Sequence, residues 1–149
     1  KIYSNRGNAY NTQGNLTQAI SDFTKAIEIT PDLAGAYNNR GLAYNKQGNF
    51  TQAISDYSKA IEINPNLAEA YNNRGIIYHT QGNFTRAISD YSKAIEINPN
   101  DAEVYFNRGL EYYLMKEYDK ARADARKAEG LGYAVNPEFL AQLKKTSSR

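Results

Sequence analysis

Four asparagines stand 34 residues apart: Asn5, Asn39, Asn73 and Asn107. A carboxamide carries both donor and acceptor groups. An extended peptide backbone presents the same two groups in alternation, so the chemistry open to this row is recognition. His79 is the only histidine, and there is no cysteine. A lone imidazole lacks the partners of a nucleophilic or metal-binding set. It reads as a polar contact; no catalysis, metal or cofactor is expected. No phosphate-cradling glycine loop or nucleophile motif occurs. The recurring "GNLT" and "GNFT" fit glycosylation acceptors at Asn15, Asn49 and Asn83, but they recur because a turn recurs.

The elements that would carry these residues follow from the period. Tyr3, Tyr37, Tyr71 and Tyr105 are in register, as are Gly7, Gly41, Gly75 and Gly109. With Ala34, Ala68 and Ala102 as position 1, each unit reads as two helices. The first covers positions 2 to 14, with an aromatic, glycine, aromatic stripe at positions 4, 8 and 11. It stops at Gly14, Gly48 or Gly82, where a left-handed residue costs glycine little. Asn15, Asn49 or Asn83, or the Thr two residues later, is expected to cap the second helix. Pro31, Pro65 and Pro99 mark unit ends, since proline inside a helix costs about 3 kcal/mol. Asn66 with Glu69, and Asn100 with Glu103, read as capping boxes. Glycine at position 8 and alanine at position 20 predict close helix approach. A single hairpin cannot bury its apolar stripe, so units must stack.

The 149 residues are 41% hydrophobic and 23% charged, with a net charge of +2. That is a globular composition for one domain. It offers no strong attraction for nucleic acid. No apolar run reaches the length of a membrane helix. The compartment stays open, with a lean to the cytoplasm. Lys1 opens the chain without methionine or a signal-like segment, as expected of an excerpt from a longer protein.

Tyr37, Gly41, Tyr44, Ala53, Tyr57, Ala60 and Pro65 resemble the tetratricopeptide repeat. Tyr71, Gly75, Tyr78, Ala87, Tyr91, Ala94 and Pro99 repeat the pattern, and the first unit carries Phe23 as its second-helix aromatic. The resemblance covers about 1–129. It implies an all-α, right-handed superhelical solenoid with repeats at about 1–33, 34–67, 68–101 and 102–135. It also implies that positions 2, 5, 6, 9, 12 and 13 face a concave groove that binds a peptide or protein segment. The groove residues expected to bind are then Asn5, Asn8, Asn38, Asn39, Leu42, Asn72, Asn73, Ile76, His79, Phe106, Asn107, Leu110 and Tyr113. The position-6 row is similar to the asparagine ladder of the O-GlcNAc transferase superhelix, which holds an extended peptide.

Three departures matter. Position 7 is Arg6, Arg40, Arg74 and Arg108, and position 23 is Asp22, Asp56, Asp90 and Asp124. These read as an Arg–Asp ladder between packed helices, adding specificity more than stability. The fourth unit has Lys116, Ala125 and Tyr133 where the others have glycine, an aromatic and proline. A capping helix is expected at about 136–147, with Asn136 as cap and Phe139, Leu140 and Leu143 on its apolar face. Phe106, Leu110, Tyr113 and Leu114 form an apolar groove cluster, read as an anchor for a partner's side chain unless the C-terminal helix covers it.

A subclass of the family grips acidic C-termini through a carboxylate clamp. Its basic positions fall here on Ser4, Glu69 and Asn73, or one unit later on Asn38, Glu103 and Asn107, so that function is not expected. Units 34–67 and 68–101 differ at seven positions. Four of these lie on the groove: Gly35/Glu69, Leu42/Ile76, Asn45/His79 and Lys46/Thr80. The scaffold is kept while the groove diverges. The expected function is a binding scaffold for an unidentified protein or peptide. The alternative is a self-assembly unit stacking through the open N-terminal face.

Overall fold

The computed structural model describes residues 1–146; Ser147, the expected end of the capping helix, lies outside them. Among the described residues there are nine α-helices and no strand. No helix among them is long and apolar enough to cross a membrane. Two compact units, Lys1–Ile77 and Tyr78–Arg149, are described in turn.

The first unit contains α1 (Ile2–Thr12), α2 (Leu16–Ile29), α3 (Ala34–Lys46), α4 (Phe50–Ile63) and most of α5 (Ala68–Thr80). Gly14 and Gly48 have φ of +79° and +76°, the left-handed conformation the sequence called for. The Asn15 and Asn49 amides then donate to Tyr10 O at 2.8 Å and Tyr44 O at 2.9 Å. These are Schellman closures of α1 and α3. The helices of a hairpin approach closely at position 8. A Cβ on Gly7 would stand 2.8 Å from Phe23 Cε1, and one on Gly41 would stand 2.9 Å from Tyr57 Cε1. The position-24 ring occupies that space, and Ala53 O lies just beyond. Ala19, Phe23 and Ala43 make one core cluster, and Ala53, Tyr57 and Ile77 the next.

The second unit holds the end of α5, then α6 (Phe84–Ile97), α7 (Ala102–Leu114), α8 (Tyr118–Gly130) and α9 (Pro137–Lys145). Lys116 replaces the turn glycine yet keeps its conformation, at φ +63°. Glu117 N donates to Tyr112 O at 2.8 Å, so the closure survives without glycine. Asn136 caps α9 by accepting from Glu138 N at 2.8 Å, with Pro137 at the first position. Leu143 is buried with Ala121 and Ala125, so α9 covers α8 as a capping helix should.

The capping differs from expectation in two places. Asn15 and Asn49 stand at the N-caps of α2 and α4 without a side-chain cap bond, whereas Asn83 accepts from Arg86 N. The Asn100–Glu103 box does not form because α7 starts one residue late. Asp101 is its N-cap and accepts from Val104 N. Asn66 likewise lies two residues ahead of Ala68, where α5 begins. Asn64 and Asn98 instead shape the turns, accepting from Asn66 N and Asn100 N.

Candidate functional site

Arg6, Arg40 and Arg108 pair with aspartates as the sequence predicts. Arg6 grips Asp22 through Nε at 2.6 Å and Nη2 at 2.8 Å. Arg40 grips Asp56 at 2.7 and 2.8 Å, and Arg108 grips Asp124 at 2.8 Å through both nitrogens. These are bidentate, charge-assisted pairs. Arg6 holds the Asp22 carboxyl below the usual carboxylate range, and Asp56 and Asp124 hold their arginines still more firmly protonated. A third partner was not expected. Arg40 Nη1 donates to Thr24 Oγ1 at 3.0 Å, Arg74 Nη1 to Ser58 Oγ at 2.8 Å, and Arg108 Nη1 to Ser92 Oγ at 3.1 Å. Thr24 and Ser58 in turn donate to the carbonyls of Ile20 and Ile54. Position 25 is therefore a joint between hairpins.

In the first unit the first helices bring the carboxamides together. Asn39 Nδ2 donates to Asn8 Oδ1 at 2.8 Å. Asn38 Nδ2 donates to Asn39 Oδ1, and Asn73 Nδ2 to Asn38 Oδ1, both at 3.3 Å. One chain of hydrogen bonds thus links Asn73, Asn38, Asn39 and Asn8. Asn5 and Asn8 are exposed; Asn39, Leu42, Asn72, Asn73 and Ile76 are half-buried. Asn38 departs from expectation: at 2% exposure it offers no groove surface. It sits between the first helices and orients its neighbours instead.

Beside this chain lies a cavity of about 430 Å³, lined by Lys1, Ser4, Asn5, Thr30, Leu33, Gly35, Ala36 and Asn39. Asn5 and Asn39 were expected there. Thr30 and Leu33 come from the hairpin connection, which carries no groove signal in sequence. Ser4 Oγ and Asn72 Oδ1 are buried without a hydrogen-bond partner. Both stand at position 5 of their repeats.

In the second unit His79 Nδ1 lies 2.6 Å from Glu111 Oε1, and Glu111 is 1% exposed. Burial pushes the Glu111 carboxyl up, and His79 opposes the shift. The aromatic cluster is half-buried and in use. Phe106 stacks on Tyr133 at 4.8 Å between centroids, with Phe139 edge-on at 5.8 Å. Tyr113 meets Phe139 at 5.3 Å and donates to Gln142 Oε1 at 3.4 Å. The expectation of an open anchor at Phe106 and Tyr113 is corrected: the C-terminal segment covers them. Leu110 and Asn107 are half-buried, and Leu114 is exposed.

Family profiles described as TPR repeat match residues 7–48 and 41–82, and two described as Tetratricopeptide repeat match 68–101 and 91–123. The chain belongs to the tetratricopeptide-repeat family. Its fold class is the all-α tetratricopeptide solenoid. The crystal structure of MamA is similar, with a TM-score of 0.83 and 29% identity, over 87% of this chain and 75% of that one. The first TPR of Spaghetti (RPAP3) bound to the HSP90 peptide SRMEEVD is similar at a TM-score of 0.75 and 27% identity, over 77% and 91%. A MamA RS-1 ArsTM double mutant, at 18% identity and a TM-score of 0.80, over 88% and 74%, shows the fold alone. A comparison with curated proteins finds no match. The tetratricopeptide fold is a general protein–protein interaction scaffold, and its members are typically non-enzymatic.

Proposed function

We propose that this tetratricopeptide array is a non-catalytic scaffold that holds an extended peptide segment on the first-helix face of residues 1–77. The observation that carries the reading is the cavity between Asn5 and Asn39, set against the chain of carboxamides. A partner's apolar side chain would enter beside Leu33 and Ala36 while Asn5, Asn39 and Asn73 meet its backbone. Three hydrogen bonds at about 0.5–1.5 kcal/mol each and one buried side chain at about 1.5–3 kcal/mol set the scale. After ordering costs, affinity falls at tens of micromolar or weaker.

The related RPAP3 repeat is bound to a peptide ending in Glu-Glu-Val-Asp. Carboxylate recognition is not carried over, because Ser4, Glu69 and Asn73 occupy the positions where a clamp is basic. The partner we propose is uncharged at its docking residue.

A random-peptide library displayed against the chain tests this. Gly35→Leu puts a side chain at the cavity wall, where a Cβ meets nothing within 4 Å. A selected peptide should lose at least about tenfold in affinity for Gly35→Leu, or about 1.4 kcal/mol, with the melting temperature unchanged or raised. Equal binding to both proteins rejects this site.

A further inference from the structure

The fourth hairpin departs from the others at the place of the second-helix ring. Ala125 stands where Phe23, Tyr57 and Tyr91 carry aromatic side chains. Helix α9 brings Leu143 against Ala121 and Ala125, with Leu140 beside it. The crevice is not filled: a cavity of about 200 Å³ remains between α8 and α9. Its floor is aliphatic, with Ala125 at 1% and Leu143 at 2% exposure. Its rim is charged. Arg126 and Glu129 come from α8 and Lys144 from α9, and all are exposed. Arg122 also lines the cavity, but its guanidinium is committed. Nη1 donates to Leu143 O at 3.0 Å and to Thr146 Oγ1 at 3.1 Å, and Nη2 donates to Asp119. Arg122 thereby clasps the last turn of α9 to α8 and fixes the walls. Other cations of α8 are engaged too, Lys120 with Glu117 and Lys127 over the Tyr105 ring. Arg126 and Lys144 differ. Among the described residues, neither side chain has a hydrogen-bond or ion-pair partner.

We propose that the crevice between α8 and α9 binds the free C-terminal end of a partner peptide whose last residue is aliphatic, of about leucine size. Volume sets the first limit. Pockets that enclose drug-sized ligands run to about 300–1,000 Å³. This cavity is smaller and takes one side chain, seated on Ala125, Leu140 and Leu143. Charge sets the second. Unpaired cations on both helices attract an anion to the mouth, and a guanidinium takes a carboxylate through paired hydrogen bonds. Spacing sets the third. A cavity for one side chain, with cations among its own lining residues, needs the apolar group and the anion on the same residue. A chain terminus supplies both from one Cα, whereas an internal aspartate or glutamate puts them on different residues. Glu129 opposes a bare anion, but it accepts from the backbone N–H of that last residue, a donor that a fatty acid lacks. The site shares no residue with the cavity beside Asn39.

The probe is the peptide acetyl-Ser-Gly-Ser-Leu with a free carboxylate, titrated into the labelled full chain. The methyl signals of Leu140 and Leu143 should move and saturate. The same peptide as its C-terminal amide should bind at least about fivefold more weakly. The free acid should lose as much against the Arg126→Gln, Lys144→Gln double variant, whose exposed side chains leave the melting midpoint unchanged. A peptide with the two groups on different residues, acetyl-Ser-Leu-Ser-Asp-amide, should bind no better than the amide. Gly35→Leu should bind the free acid as the parent does, which separates this site from the proposed groove. No saturable shift up to about 10 mM probe, equal affinity for acid and amide, or equal affinity of parent and double variant overturns the site. An internal-aspartate peptide that binds as tightly as the free acid overturns the assignment to a chain end. Loss of binding in Gly35→Leu would place the probe in the groove and overturn the proposal.

Discussion

Glu111 Oε1 and His79 Nδ1 lie 2.6 Å apart, and the carboxylate stands at the repeat position that Ala43 and Ile77 fill elsewhere. Its other oxygen, Oε2, is buried without a hydrogen-bond partner. Burial raises this carboxyl, and His79 pulls it back. A carboxyl raised in the folded state contributes stability that is fully present below its unfolded value and is lost as pH rises through the folded one. Glu111→Gln removes that loss. At about pH 8.5, above the ordinary carboxylate range, the variant should be more stable by about 1–3 kcal/mol in urea unfolding. The gain should shrink toward about pH 5. A gain constant with pH would show that burial does not raise the Glu111 carboxyl.

Arg40→Met leaves Asp56 buried and unpaired, and strips Thr24 of its donor. The expected loss is about 3 kcal/mol. Adding Asp56→Leu should restore most of it, because desolvating the pair offsets much of its attraction. Additive losses in the double variant would assign the ladder a net stabilising role.

Two glycines in α3 should respond oppositely to alanine. A Cβ on Gly41 would stand 2.9 Å from Tyr57 Cε1 and 3.3 Å from Ala53 O, so Gly41→Ala should cost about 1–3 kcal/mol. Gly35→Ala meets nothing within 4 Å and should gain up to about 1 kcal/mol from helix propensity. Thermal midpoints of the two variants rank them directly.

Lys116 holds a left-handed conformation at φ +63°, where a side chain costs about 1–2 kcal/mol. Lys116→Gly relieves this at some cost in unfolded-chain entropy. Unfolding should shift to higher denaturant by the equivalent of about 1 kcal/mol. A destabilised variant would show that the lysine stem, and not the backbone, sets the energy of this turn.

The repeat made most of the fold legible. Hairpin boundaries, the left-handed Gly14, Gly48 and Gly82 and the Arg–Asp pairs follow from the repeated columns, and the α9 cap from Asn136 and Pro137. What was missed lies between columns. Position 25 reads as surface on a helical wheel, yet Thr24, Ser58 and Ser92 face an arginine from the next hairpin. Asn38 reads as groove, but the packing of first helices closes over it. Glu111 could have been found: one charge in a column of Ala9, Ala43 and Ile77 signals a buried group in need of a partner. The cover over Phe106 was not readable, because Tyr133 and Phe139 lie beyond the periodic segment and obey no register.

Whether the carboxamide row itself grips a backbone is tested most directly by the side-chain amide resonances of labelled protein titrated with a library-selected peptide. The Nδ2 signals of Asn5, Asn39 and Asn73 should move and saturate together, while those of Asn49 and Asn83, in the hairpin turns, stay fixed. Binding that leaves the Asn5 and Asn39 signals in place would contradict a partner held by this row.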